Sequence, residues 1–206
     1  PQTLRNLELL KPINADDPSS TLVNVLDYTL TAMGARKLKR WISHPLIHVK
    51  AIERRLDALD CLLSEPIFVD DLKSELREIM DIERLIGRLG SGRAHARDLL
   101  ALGKSMLQSS RVAKLIQTLD VDYFQELELD ARYLEVKGQE LLDYFTDEPP
   151  LTIREGGLIR SGASPDLDAL NEGIREAREW LSSLEKREKE RTGIPTLKVG
   201  FNKVFG

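Results

Sequence analysis

Gly87-Arg88-Leu89-Gly90-Ser91-Gly92 has the glycine density of a loop that wraps phosphate. The rest of that chemistry is missing. No Lys-Ser/Thr pair follows and no strand-like run precedes it, so the stretch is expected to break two helices rather than bind a nucleotide. His44 and His48 stand four apart, with Cys61 further on. On one helix that spacing could hold a metal, but Pro45 lies between them and no acidic ligand is suitably spaced, so no metal site is expected. Cys61 sits beside an apolar stripe and no Gly-x-Ser-x-Gly elbow occurs, which leaves no activated nucleophile. Glu185 and Glu188 are paired carboxylates on a charged, solvated helix, without the cleft that general acid/base work needs. Arg36, Lys37, Lys39 and Arg40 ring Leu38, Trp41 and Ile42. They are expected to form a solvated face with salt bridges to neighbouring helices, and a phosphate-binding patch is the other reading. Lys198, Asn202 and Lys203 flank an extended run near Gly206. Polar and basic side chains at a strand end can touch phosphates without reading bases; an ordinary exposed strand is the simpler alternative.

The elements that would position these residues are helical. Val49, Ile52, Leu56, Leu59 and Leu63 step by 3 and 4, which puts one apolar stripe on one helix face before Pro66. Leu72, Leu76, Ile79 and Ile82 begin a second face, continued by Leu85, Ile86 and Leu89. Leu99 to Leu107, Leu115 to Leu119, and Leu127 to Phe145 carry further apolar clusters. Residues 151–160 alternate apolar and polar around Gly156-Gly157, the pattern of a short hairpin or extended loop. Ser164 suits an N-cap, Pro165 the first helical position, and Asp166 and Asp168 the positive end of the helix dipole. Leu167, Leu170, Ile174, Ala177, Leu181 and Leu184 then step as heptad a and d positions. From Asp166 to Arg191 a continuous helix would span about 39 Å at about 1.5 Å per residue. Thr192-Gly193 with Pro195 should stop it. Thr196–Phe201 is expected to be a strand, its partner lying past Gly206.

Composition sets the outer bounds. The 206 residues are 41% apolar, 31% charged and 5% aromatic, enough to bury a core and weighted toward long helices. The net charge of -4 counts against an autonomous nucleic-acid binder, which usually carries a basic surplus. One cysteine excludes an internal disulfide framework and fits a reduced, cytoplasmic setting. No run approaches a membrane span and residues 1–5 carry no signal-peptide core. Pro1 in place of an initiator Met is expected of a segment from a longer chain. The fold class expected is all-α: an elongated multi-helix domain with a long C-terminal helix, ending in a truncated β element.

Five stretches, in order, resemble the MutS family of DNA mismatch-repair proteins. They are Arg5-Asn6-Leu7-Glu8-Leu9 with Ser20-Thr21-Leu22 and Val25-Leu26-Asp27; Thr31-Ala32-Met33-Gly34-Ala35-Arg36-Lys37-Leu38-Lys39-Arg40-Trp41-Ile42 to Pro45-Leu46; Asp81-Ile82-Glu83-Arg84-Leu85 with Arg88-Leu89 and Ala96-Arg97-Asp98-Leu99; Arg154-Glu155-Gly156-Gly157-Leu158-Ile159 with Ser161-Gly162; and Glu188 to Gly193 followed by Leu197-Lys198-Val199-Gly200-Phe201-Asn202, Val204 and Gly206.

The resemblance implies a helical core or lever domain over residues 1–191 and the start of a DNA clamp over 192–206. In the family the lever joins an ATPase domain to a clamp that grips duplex backbone without base specificity. The family's mismatch-reading Phe-x-Glu motif and its P-loop are both absent from these residues. The resemblance thus implies a non-catalytic segment with no cofactor of its own, the parent's ATP and magnesium belonging to another domain. Implied partners are mismatched double-stranded DNA, a second copy of the parent in a homodimer, and repair proteins such as MutL, with no membrane. Matched to the family's clamp, Asn202 and Lys203 are the implied backbone contacts and Lys198 a weaker one. Many relatives carry a His before the final Gly where this chain has Phe205, which leaves the form of that turn open. The competing expectation is a helical protein-interaction scaffold with no nucleic-acid role, its a/d seam binding a partner helix.

Overall fold

The computed structural model describes residues 2–13 and 21–200. Among them the elements are α1 (Gln2–Asn6), α2 (Leu22–Leu26), α3 (Ala32–Ser43), α4 (Val49–Ser64), α5 (Pro66–Arg77), α6 (Ile82–Gly90), α7 (Ala96–Ile116), α8 (Asp122–Gln125), α9 (Ala131–Tyr144) and α10 (Pro165–Thr192), with a 3-10 turn at Ile153–Glu155. The fold is all-α, as expected, and no β-strand occurs among the described residues. The chain divides after Leu158 into two compact units.

Helix α7 is the spine of the first unit. Its 21 residues bury Ala96, Leu100, Leu102, Gly103, Ser105, Gln108, Ser110, Val112 and Ala113. Small side chains let α9 lie directly on it. A Cβ placed on Gly138 would meet the Gly103 carbonyl oxygen at 2.9 Å, and one on Gly103 would meet the Gly138 carbonyl at 3.0 Å. The buried polar residues of α7 are all spent on neighbouring backbone. The Ser110 hydroxyl donates to the Ala131 carbonyl at 2.7 Å, the Met80 N–H donates to the Ser105 hydroxyl at 3.1 Å, and the Gln108 amide donates to the Glu75 carbonyl at 3.0 Å. An unpaired buried group would cost about 1–3 kcal/mol, so these bonds fix which turn of each neighbour meets α7. A satellite cluster of Ala58, Leu119 and Phe124 ties α4 and α8 to the end of α7.

The structure sharpens four local expectations. Helix α4 stops at Ser64, just before Pro66, as expected, and Pro66 in turn occupies the first turn of α5, where its missing N–H is harmless. The apolar run from Leu72 to Leu89 is two helices, because the Asp81 carboxylate accepts from the Arg84 N–H and caps α6. Of the two alternatives for residues 151–160, the structure shows the loop and not the hairpin. Thr152 and Glu155 make a capping box around a 3-10 turn, and Gly156 and Gly157 follow at φ 71° and 70°. Last, the stripe Val49, Ile52, Leu56, Leu59 and Leu63 stays between 38% and 70% exposed. The face of α4 that packs carries Ala58, Cys61 and Leu62.

In the basic helix α3, Arg36 makes the expected ion pairs with a neighbouring helix. Arg36 sends two N–H groups to Asp81, at 2.6 and 2.9 Å, and a third to Glu83 at 2.8 Å. Arg55 stacks on the Trp41 ring, its guanidinium carbon 3.8 Å from the centroid. Arg36 holds the Asp81 carboxyl down from its ordinary 3.8 to about 2. Because the folded pKa is the lower one, this contact stabilises the fold above about pH 3.8 and is lost as pH falls toward 2. The melting temperature should therefore drop across that window, and an Arg36→Met protein should show a flatter drop. Parallel profiles for the two proteins would remove the ion pair from the account.

In the second unit, α10 follows its sequence signals. The Ser164 hydroxyl accepts from the Leu167 N–H, Pro165 opens the 28-residue helix, and the Asp168 carboxylate accepts from the Gly162 N–H at 2.8 Å. Gly193 closes it in the left-handed conformation, φ 68°, its N–H bonded to the Lys189 carbonyl. No residue of α10 is buried, and Leu170 and Ile174 of the heptad stripe are 66% and 51% exposed.

Candidate nucleic-acid interface

Of the candidate contacts, Lys198 falls among the described residues, on the chain that follows α10. Asn202 and Lys203 lie outside the described residues, as do Phe201 and the residues after it. Lys198 is exposed. After Gly193 the chain turns, the Leu197 N–H donating to the Ile194 carbonyl at 3.2 Å. It then lies back on the last turns of α10, where the Val199 N–H donates to a Glu185 carboxylate oxygen at 3.3 Å. The other Glu185 oxygen takes the Lys189 ammonium at 2.6 Å. Lys189 first, then the Val199 N–H, holds the Glu185 carboxyl below its usual range, with the charge of Lys198 adding to it.

Residues 197–200 have no ladder, so the expected strand does not start within them. A strand needs a neighbour for its N–H and C=O groups, and here Glu185 takes the Val199 N–H instead. The result is a short latched arm that presents Lys198 next to the helix end. Lys186 and Arg187 are also exposed there, while Lys189 and Arg191 are paired with Glu185 and Glu188. The sequence reading did not single out Lys186 and Arg187. Their signal was present: adjacent cations a short way before a helix-stopping Gly.

The other candidate chemistry is dispersed or already spent. Arg36 is committed to Asp81 and Glu83, so it presents no free fork to a phosphate. His44 follows α3 as its C-cap and His48 precedes α4 as its N-cap. No three His, Cys, Asp or Glu side chains gather to hold a metal among the described residues. The glycine-rich stretch has no spare amides: the N–H groups of Ser91, Gly92 and Arg93 donate to the carbonyls of Gly87, Leu89 and Arg88. A phosphate-cradling loop needs those amides free, so this stretch does not fit ATP. No described helix is long and apolar enough to cross a membrane.

Comparison with known proteins points to the same family. Residues 2–193 match the family model of MutS domain III. The chain is 43% identical over 206 residues to a DNA mismatch repair protein MutS from Halothermothrix orenii, covering 99% of this chain and 23% of that protein. It is 42% identical to the MutS protein of Microcystis aeruginosa, covering 100% of this chain and 23% of the relative. The MutS protein of Methanococcoides burtonii is 40% identical over 211 residues, again covering 99% of this chain and 23% of the relative. The chain thus spans about a quarter of the length of these relatives. With the capped long helix, the Arg36–Asp81 junction and the Gly193 stop all falling inside the matched region, the chain belongs to the MutS family, as its domain III.

Proposed function

We propose that this chain serves DNA mismatch repair as a mechanical link, residues 1–191 forming a lever and residues 192–206 beginning a clamp that holds duplex backbone. The supporting observation is α10: one uninterrupted 28-residue helix, capped at both ends, that runs from the second unit's entry to the arm bearing Lys198. A stiff helix transmits displacement from one end to the other, provided its packing has two discrete arrangements. In this reading the chain itself neither reads mismatches nor hydrolyses ATP. ATP and magnesium act in a separate ATPase domain, the working assembly is a homodimer on mismatched duplex DNA, and MutL-type repair proteins receive its signal in the cytoplasm.

Lys198, Asn202 and Lys203 are the proposed phosphate contacts, joined by Lys186 and Arg187. Their role is electrostatic, so each should contribute affinity without sequence preference. Lys203→Ala in the full protein should weaken matched and mismatched duplexes alike and reduce the salt slope of log affinity by about one unit. An unchanged slope would return Lys203 to the ordinary surface.

The exposed a/d residues Leu170 and Ile174 favour a second reading, in which α10 docks a partner helix. Crosslinking from position 174 in the full protein separates the two: capture of a helix of the same chain removes the surface an outside partner would need.

A further inference from the structure

One charged feature is used by neither the fold nor the clamp reading. From Arg84 to Arg97 the sequence carries four arginines and one histidine with no acidic residue, in a chain whose net charge is -4. Arg84, Arg88, Arg93 and His95 converge, with Ser91 and Gly92, on an open cleft of about 880 Å³ between the end of α6 and the start of α7. The acidic neighbours are already committed. Asp98 gives one oxygen to Arg88 at 2.6 Å and the other to the His95 N–H at 3.0 Å, and Glu83 is paired with Arg36. Arg84 and Arg93 are exposed; the charge of Arg84 also acts on Asp81, whose carboxylate Arg36 already holds. Gly92, at φ 67°, turns the backbone so that Arg93 follows directly on the turn while its own N–H returns to the Arg88 carbonyl at 2.9 Å.

We propose that this cleft binds phosphoryl oxygens through Arg84 and Arg93, with Arg88 held in place by Asp98 beside them. Guanidinium forks match the oxygens of a phosphate in pairs, which a carboxylate-spaced lysine patch would not do. The donors are side chains only, since the loop amides are satisfied internally. That arrangement suits a phosphate presented from solvent, either on a nucleic-acid backbone or on a free phosphorylated compound. The site lies in the first unit, away in sequence from Lys198, and stands whether or not the clamp reading holds.

The test is a titration of the protein with inorganic pyrophosphate, followed by NMR of the arginine side-chain N–H groups, with sodium chloride at matched ionic strength as reference. Saturable shifts are expected, with affinity falling about tenfold or more in an Arg84→Gln/Arg93→Gln protein. An Arg132→Gln/Arg178→Gln protein loses the same charge elsewhere and should bind as the parent does. Both pairs are exposed, so retained helicity by circular dichroism shows that each variant is folded. Competition by a short duplex would assign the source to nucleic-acid backbone; no competition would assign it to a free phosphorylated compound. An unchanged affinity in the Arg84/Arg93 variant, an equal response to sodium chloride, or equal displacement by polyglutamate would overturn the proposal.

Discussion

Gly138→Val should destabilise the first unit by about 3 kcal/mol, the upper end of overpacking costs. The reason is the crossing of α7 and α9. Any Cβ at position 138 meets the Gly103 carbonyl oxygen at 2.9 Å, the Leu107 backbone nitrogen at 3.1 Å and the Leu107 Cγ at 3.0 Å. Two of those three atoms are backbone and cannot rotate aside. Separating the helices would also stretch the Ser110 bond to the Ala131 carbonyl and expose Val112 and Ala113. A matched control reverses the sign. Gly173 sits in α10 with nothing within 4 Å of its would-be Cβ. Gly173→Ala should therefore stabilise α10 by roughly 1 kcal/mol, the helix propensity gained. Urea unfolding followed by circular dichroism checks both; a neutral Gly138→Val would mean the two helices do not cross as closely as described.

The second large effect concerns coupling. Leu181 lies near the middle of α10, inside the heptad stripe. Leu181→Pro removes the N–H that bonds one turn back and forces the ring against the carbonyl of that turn, costing about 3 kcal/mol or more in a helix interior. In the full protein this should kink the lever and abolish ATP-induced release of DNA, while ATP hydrolysis and nucleotide-free duplex affinity persist. Leu181→Ala keeps the helix and should keep the release. Normal ATP-induced release in a folded Leu181→Pro protein would contradict the lever reading.

Much of this was legible in the sequence where the signal is local. Ser164, Pro165, Asp168 and Gly193 specify the ends of α10 because caps depend on groups within a few residues. The Arg36 cluster could be assigned to ion pairing by charge, though its partners Asp81 and Glu83, some 45 residues away, could not be named in advance. Facing was harder. The strongest stripe on α4 is exposed and a weaker one through Ala58 and Cys61 packs, since periodicity says which residues share a face and not what that face meets. The Gly103–Gly138 approach left no trace in either glycine's neighbours in sequence. At the candidate interface, Lys198 could be named from its place beside the expected terminal strand and from the family resemblance. The Glu185 latch that holds its arm was not, because a carboxylate on a charged helix looks the same whether it is solvated or bonded to a returning backbone N–H.

The central claim is that this chain contributes backbone holding and transmission rather than mismatch reading. Its most direct test is a fluorescence-anisotropy titration of the 206-residue chain with matched and G·T-mismatched duplexes, at low and at physiological salt. The account predicts weak binding, equal for the two duplexes and falling steeply with salt. A preference for the mismatched duplex would contradict it.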